Sequence, residues 1–512
     1  MCRILRRRAP LLEGSTLRYD KLCYSQINNT EQALLLQGWW MRKDRVVGKK
    51  VGIFGMARSG LACAELLKKL GAQVFVTDAK PNHLLTSQIA QLEESDIEFE
   101  TGGHTSQAIT NRDYLVISPG VPLDIPILKE AQNSGIPIFS EIEVAFWLTD
   151  AKVVGITGSN GKTTTTTLVG EILKENKKEC QIGGNIGIPF SSLVEKVSPD
   201  GIVVLELSSF QLERIEEFKP YLSAVLNLTP DHLDRYPDLK SYMEAKLRIF
   251  ENQTETDFAV LNADDKNSME MALYSAGKKI FFSTQKELPL GAFVKNGMLV
   301  YKMNGKEEKV IETKDIKIKG PHNLSNASAA CAICAILEVS PVSMRETLKR
   351  FQGVEHRLEE VATLSGVKFV NDSKATNVDS VWYALQSVKE PIILIAGGKD
   401  KGGDFTKLRE LVSSRVKALI LIGEAKEKIH SALGDLVSTF YANSLEEAVE
   451  MSFKKAQAGD TVLLSPACAS FDMFRDYEHR GEVFKSSVRS LARAVNAQIN
   501  KNVNSGKSTY KV

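Results

Sequence analysis

The chain has 512 residues, 65 Lys and Arg against 63 Asp and Glu, and 43% hydrophobic residues. This ordinary globular composition leaves room for about three domains at ~100–200 residues each, and a net charge of +2 makes no electrostatic case for nucleic acid or an anionic membrane as partner. No apolar run reaches the ~18–20 residues of a membrane span, and seven cysteines in so long a chain do not make a disulfide framework, so a cytoplasmic setting is expected.

Residues 1–47 are expected to lie outside the fold as an N-terminal extension. Arg3, Arg6, Arg7 and Arg8 precede no sustained apolar stretch and so make no secretory signal, and Met41 is read as the physiological start. The first domain is set at 48–140. Strand Lys50–Phe54, the turn Gly55-Met-Ala-Arg-Ser-Gly60, a helix through Leu70 and strand Gln73–Thr77 ending at Asp78 form a βαβ unit of dinucleotide-fold type. Ala57 holds the middle glycine place, and Asp78 follows Gly55 by 23 residues, near the spacing at which an acid reaches a ribose. A redox-cofactor domain and a nucleotide-diphosphate-sugar domain read alike at this level. Strand Tyr114–Ile117 then runs into Ser118-Pro-Gly120-Val-Pro122, a turn at a strand's carboxyl end, where open α/β sheets bind ligands.

The second domain is set at 141–353 and carries the sharpest signal. Strand Val153–Ile156 leads into Gly158-Ser159-Asn160-Gly161-Lys162-Thr163-Thr164 and then a helix, the arrangement that cradles phosphate on backbone N–H groups. Lys162 would meet the outer phosphates and Thr163 a magnesium ion, although Ile156 stands where the strict consensus has glycine. Strands Gly201–Leu205, Ala224–Leu228 and Phe258–Leu261 alternate with helical patterns, which predicts a parallel sheet. Glu206 ends one of these strands beside the loop, placed to organise magnesium. His232, in Asn227-Leu-Thr-Pro-Asp-His232-Leu-Asp234, is a candidate ligand for a second divalent ion. On the helix expected over Leu239–Phe250, Lys246 falls in the middle of the apolar face, where an ammonium must be paired, neutral or modified. Cys331 and Cys334 sit in an alanine-rich stretch and read as buried helix cysteines.

The third domain is set at 354–498, with strands at Val367–Val370, Pro391–Ala396, Ala418–Ile422 and Thr461–Leu464. Residues 499–512, rich in Lys, Asn and Ser, read as a disordered tail. Between and within these domains stand Gly320-Pro-His-Asn-Leu-Ser-Asn326, Glu355-His-Arg357, Asn371-Asp372-Ser-Lys374-Ala-Thr376-Asn377, Gly397–Asp404 and Ser465–Asp472. Most follow strands and mix Gly, Asn, Lys and Asp, as loops around an anionic ligand do.

Together with Gly184-Asn185-Ile-Gly187, Leu205-Glu-Leu-Ser-Ser-Phe-Gln211 and Asp231-His-Leu-Asp234, these motifs resemble the Mur ligase family from about Gly48 to Ala494. The resemblance implies an α/β chain of three domains: a Rossmann-like UDP-binding domain, a P-loop-type central ATPase domain with a parallel sheet, and a C-terminal Rossmann-like domain. Asn371–Asn377 and Ser465–Phe474 narrow it to ligases that add D-glutamate to UDP-N-acetylmuramoyl-L-alanine for peptidoglycan. ATP would phosphorylate the alanyl carboxylate, and the amine of D-glutamate would attack the acyl phosphate. The family pattern places ATP on residues 158–164, Asn326, Arg357 and Asp372, with Lys162, His232 and Lys246 catalytic. It places Mg2+ on Thr163, Glu206, His232 and Lys246, the last as a carbamate. D-Glutamate falls to Lys374, Thr376, Lys401, Ser470, Phe471 and Tyr477, and the UDP moiety to Arg58, Ser59, Asp78, Ser118, Gly120 and Asn185. Ala79-Lys80 departs from the Thr-Arg common in the family, so a planar bidentate grip is absent there. Nothing in the chain asks for more than a monomer. A sister ligase, a folylpolyglutamate synthetase or a P-loop NTPase of another class are the competing readings; the motifs after residue 354 argue against the first two, and Lys246 with those same loops is left unexplained by the last.

Overall fold

The computed structural model describes residues 44–232 and 235–504, with side chains described to residue 497. The expected start at Met41, residues 1–43 and Asp234 therefore lie outside the described residues. The N-terminal boundary moves: Arg45 and Val46 belong to the fold. Val46 is fully buried in the first core, and the Arg45 guanidinium pairs with Glu217 at 2.9 Å and lies 5.2 Å from the Trp147 ring.

Strands β1 (Lys50–Phe54), β2 (Gln73–Asp78), β3 (Glu98–Thr101), β4 (Tyr114–Ile117) and β5 (Ile138–Ser140) form a parallel sheet in the order β3-β2-β1-β4-β5. That order switches direction at β1, so ligand-facing turns gather at the carboxyl ends of β1 and β4. Gly60 is needed because a Cβ there would stand 1.9 Å from the Gly55 carbonyl oxygen.

The central sheet contains β6 (Lys152–Thr157), β7 (Cys180–Gly184), β8 (Ile202–Glu206), β9 (Leu222–Val225), β10 (Phe258–Asn262), β11 (Lys278–Ser283), β12 (Gly291–Lys295), β13 (Met298–Met303) and β14 (Lys306–Glu312). Its order is β14-β13-β12-β11-β10-β9-β6-β8-β7. The expected parallel sheet holds from β7 to β12, but β12, β13 and β14 add an antiparallel meander. The cause is local and was visible in the chain: Asn296-Gly297 and Asn304-Gly305 both take positive φ, the turn geometry that joins antiparallel strands tightly. Apolar residues cover both faces of this sheet. On one, Leu168 and Ile172 of helix Lys162–Glu175 meet the alanine-rich helix Pro321–Ile336, whose Cys331 and Cys334 are buried free thiols. On the other lie Phe218, Tyr242, Ile249 and Phe250.

The third sheet, β15 (Glu359–Leu364), β16 (Val367–Asn371), β17 (Ile392–Gly397), β18 (Val416–Ile422), β19 (Ser438–Tyr441) and β20 (Thr461–Leu464), runs β15-β16-β20-β17-β18-β19. Only β15 is antiparallel. The last helix continues from Tyr477 to Asn504, beyond the expected onset of disorder at 499; residues 505–512 lie outside the described residues. Among the described residues, no helix is long and apolar enough to cross a membrane.

Candidate active site

The phosphate loop follows β6 and ends in the first turn of helix Lys162–Glu175. Gly158 and Gly161 take φ of 147° and 84°, in the left-handed half of backbone space that glycine enters without strain. Gly161 is fixed doubly: a Cβ there would stand 2.2 Å from Asn326 Oδ1. The loop is held to the next strand end by Asn160 N–H donating to Asn227 Oδ1 at 2.9 Å and Ser159 Oγ donating to the Thr229 carbonyl at 2.8 Å. Lys162 Nζ folds back on the carbonyls of Gly158 and Ser159, at 2.9 and 2.8 Å.

Two cavities open beside this loop. The first, of about 330 Å³, is lined by Ser159–Thr164, Asn185, Glu206, Asp231 and His232 from the central domain. Arg357, Lys374, Thr376, Lys401, Ser470, Phe471 and Tyr477 line it from the third. The second, of about 370 Å³, shares Asn160, Gly161 and Arg357 with the first and is otherwise walled by Asn326, His322, Trp382, Tyr383, Asn262, Thr284 and their neighbours. The structure thus brings most of the anticipated ATP, magnesium and D-glutamate residues to one place. Gly158, at the start of the loop, and Lys246, whose Nζ donates to its carbonyl, line neither cavity. Asp372 lines neither cavity; it is buried, accepting Ser465 Oγ at 2.8 Å and Leu358 N–H at 3.2 Å, and so braces the segment that carries Arg357. Arg58 and Ser59, which open helix Arg58–Lys69, Asp78, which ends β2, and Ser118 and Gly120, which follow β4, stand apart in the first domain. Asp78 accepts the Met56 and Lys80 N–H groups at 2.8 and 2.9 Å, Ser118 Oγ donates to the Gly55 carbonyl at 3.2 Å, and exposed Arg58 lies 3.8 Å from Glu478.

Electrostatics mark the first cavity as prepared for anions. Lys162, Arg357, Lys374 and Lys401 face Glu206 and Asp231 there. Burial pushes the Lys162 amine below its ordinary value, aided by Arg357 and Lys401 and opposed by Glu206 and Asp231. Burial takes Lys374 down to about 8; its Nζ donates to Tyr477 Oη at 3.0 Å. Burial works to raise the Glu206 carboxyl, yet Lys374, Lys162 and hydrogen bonds from Asn185 (3.0 Å) and Thr163 (2.7 Å) hold it below the ordinary value. Asp231 is likewise kept ionised against burial by Lys401, 3.0 Å away. Burial lowers His232 to about 4, so its imidazole is neutral at pH 7.

Lys246 lies where the apolar face of its helix packs, which the sequence pattern anticipated; the α-helix itself covers Leu239–Leu247 and a 3₁₀ turn completes it to Phe250. The ammonium is 1% exposed, rests on Thr157 Oγ1 (3.2 Å) and the Gly158 carbonyl (3.0 Å), and lies 4.7 Å from the Tyr242 ring. No carboxylate among the described residues forms an ion pair with it, and burial drives its pKa well below the ordinary value, with Lys162 adding to the effect.

Several site residues escaped the sequence reading. Arg480, fully buried, staples two strand-end loops by donating to the Ser373 and Cys468 carbonyls at 2.8 and 3.1 Å. Asn377 and Ser380 also line the first cavity, although the sequence around Ser380 carries no signal of it. The aromatic wall of the second cavity, Trp382 and Tyr383, comes from a helix whose pattern reads simply as amphipathic.

Residues 49–140 match the Mur ligase MurD-like N-terminal domain, residues 156–334 the Mur ligase middle domain, and residues 356–468 the Mur ligase glutamate ligase domain. The UDP-N-acetylmuramoylalanine--D-glutamate ligase of Koribacter versatilis is 45% identical over 447 residues, covering 87% of this chain and 98% of the relative. The protein of the same name from Geotalea daltonii is 47% identical with the same coverage. Among solved structures, UDP-N-acetylmuramate-alanine ligase MurC of Thermotoga maritima shares the fold at TM-score 0.57 and 21% identity, over 86% of this chain and 99% of that one. The MurF ligase of the same organism, in complex with ADP, aligns at TM-score 0.54 and 16% identity, over 82% and 96%. With all three domains matched in order and full-length relatives at this identity, the chain belongs to the Mur ligase family.

Proposed function

We propose that the chain joins D-glutamate to UDP-N-acetylmuramoyl-L-alanine at the expense of ATP, as a cytoplasmic monomer in peptidoglycan precursor synthesis. The observation that carries this reading is the single cavity in which the phosphate loop faces Lys374, Thr376, Lys401, Ser470 and Tyr477, in a chain whose relatives at 43–47% identity bear that name. All its groups come from one chain, so no second copy is required.

A carboxylate is a poor electrophile until one oxygen becomes part of a leaving group. The γ-phosphoryl group passes to an oxygen of the alanyl carboxylate as its bond to ADP breaks. The D-glutamate amine then attacks the acyl carbon, the C–O bond breaks, phosphate leaves and the nitrogen loses a proton. Catalysis is chiefly alignment and neutralisation of converging negative charge. Lys162 and the helix N-terminus take the phosphates, and Arg357 stands where the two cavities join. Lys374 and Lys401 suit the two carboxylates of D-glutamate, with Thr376, Ser470 and Tyr477 as hydroxyl partners and Phe471 at the mouth. Asn326 belongs to the nucleotide side, and Asp372 serves it by bracing the segment of Arg357. Arg58, Ser59, Asp78, Ser118, Gly120 and Asn185 are assigned to the UDP moiety.

The donor set fits magnesium: an ionised, buried Glu206 and the Thr163 hydroxyl are oxygen ligands of the kind a hard cation takes, with neutral His232 beside them. Lys246, buried on neutral oxygens only, fits modification to a carbamate, which would complete that set. When bound, the ion supplies positive charge to the phosphate oxygens. The test is phosphate release by the purified protein. It should require both UDP-N-acetylmuramoyl-L-alanine and D-glutamate; release with L-alanine or L-lysine, or with no amino acid, overturns the assignment.

A further inference from the structure

We propose that Ser380, with Asn377, is a positioning residue that sets the side chain of Asn160 and so makes the phosphate loop responsive to docking of the C-terminal domain. The inference rests on the ligase reading above. Asn160 is one of three residues common to both cavities, and so stands at the seam through which a phosphoryl group must pass from nucleotide to acceptor.

Its backbone and its side chain answer to different domains. The backbone is clamped within the central domain: its N–H donates to Asn227 Oδ1 at 2.9 Å and its carbonyl accepts from Asn227 Nδ2 at 3.0 Å. The side-chain oxygen instead accepts from Ser380 Oγ at 2.8 Å and from Asn377 Nδ2 at 3.4 Å, both in the C-terminal domain. These partners are rigid relative to each other, because Asn377 caps helix Val378–Ser387 by accepting the Ser380 N–H at 2.9 Å. Asn377 also donates to Asp231 Oδ2 at 2.9 Å, whose other oxygen holds Lys401 at 3.0 Å. With the amide oxygen occupied from the C-terminal side, Asn160 Nδ2 is a buried donor without a hydrogen-bond partner among the described residues. Buried donors are seldom left so, and a phosphate oxygen at the seam would satisfy this one. Undocked, the amide has no reason to hold that orientation, so the donor is presented only when the amino-acid-binding loops have arrived.

The test is a double-mutant cycle on the full chain, using S380A, N160A, their combination and S380T. With all substrates saturating, S380A should lower kcat about tenfold, the worth of one hydrogen bond at a transition state. KM for the UDP-sugar substrate should not move, and S380T should recover most of the loss. The double variant should match N160A within about twofold. Wild-type kcat in S380A, or losses that multiply in the double variant, overturns the proposal. Should S380A not fold, S380C is read in the same way. The same cycle on the Kd of a non-hydrolysable ATP analogue needs no acceptor. Additive losses there refute coupling through Asn160 whatever the substrates are, whereas an inactive wild type with non-additive analogue binding would fault the ligase reading alone.

Discussion

Replacing Lys246 by methionine separates stability from catalysis. The substitution keeps an unbranched stem of similar length, puts sulfur in place of the δ-methylene and removes the nitrogen. Neither oxygen beneath it would be orphaned: the Gly158 carbonyl still accepts Lys162 Nζ at 2.9 Å, and Thr157 Oγ1 still donates to the Leu207 carbonyl at 2.8 Å. The ~1–3 kcal/mol penalty for a stranded polar group therefore does not arise. In the unmodified protein, what disappears is a buried amino group held on neutral partners, whose charged form costs several kcal/mol to desolvate and is only partly compensated by two hydrogen bonds and a ring contact. K246M should be as stable as the parent or about 1–3 kcal/mol more so, a thermal shift of roughly 0 to +10 °C. Phosphate release should nevertheless fall at least about a hundredfold, as expected when a group that neutralises or organises transferring phosphate is lost. K246A, which leaves space, should regain part of that activity on addition of formate or acetate. Thermal unfolding alongside the phosphate assay decides the matter: K246M with full turnover, or with stability reduced by more than about 3 kcal/mol, would refute the reasoning.

Gly161→Ala meets both a φ of 84° and Asn326 Oδ1 at 2.2 Å. It should cost about 2 kcal/mol and weaken ADP binding at least about tenfold; calorimetric affinity equal to the parent's contradicts this. Lys374, taken down to about 8 by burial, is a cation below that pH and loses its charge above it. The kcat/KM for D-glutamate should therefore decline above about pH 8, and in K374R the decline should move to higher pH; a flat profile to pH 9 argues against the role. Asp372, raised by burial from 3.8 to about 6, is protonated more readily folded than unfolded. Its stabilising contribution is fully present below pH 3.8 and is lost as pH rises through about 6, by about 3 kcal/mol. D372N should flatten that part of the stability–pH curve, and parallel curves for the two proteins would show that Asp372 does not titrate there.

Much of the site was legible because its parts are local. A strand end, two glycines and a helix start within 151–165 define the phosphate loop by backbone sterics alone. The apolar periodicity of 239–250 by itself marked Lys246 as buried. The Asn-Gly turns that make the antiparallel meander are equally local, but they interrupt a βα alternation that otherwise signals a parallel sheet. Ser380 and Arg480 were not legible, since a serine in a first helical turn and an arginine near another look like ordinary capping and surface residues.

The sequence by itself determined the domain order, the parallel core of the central sheet and the chemistry of the strand-end loops, all of which depend on contacts between near neighbours in the chain. Tertiary structure decided which loops meet. It set Lys401 against Asp231, 170 residues apart, Ser380 against Asn160, 220 apart, and one cavity between two domains. Such meetings follow from the docking of whole domain surfaces, a sum over many weak contacts that no short window of residues contains.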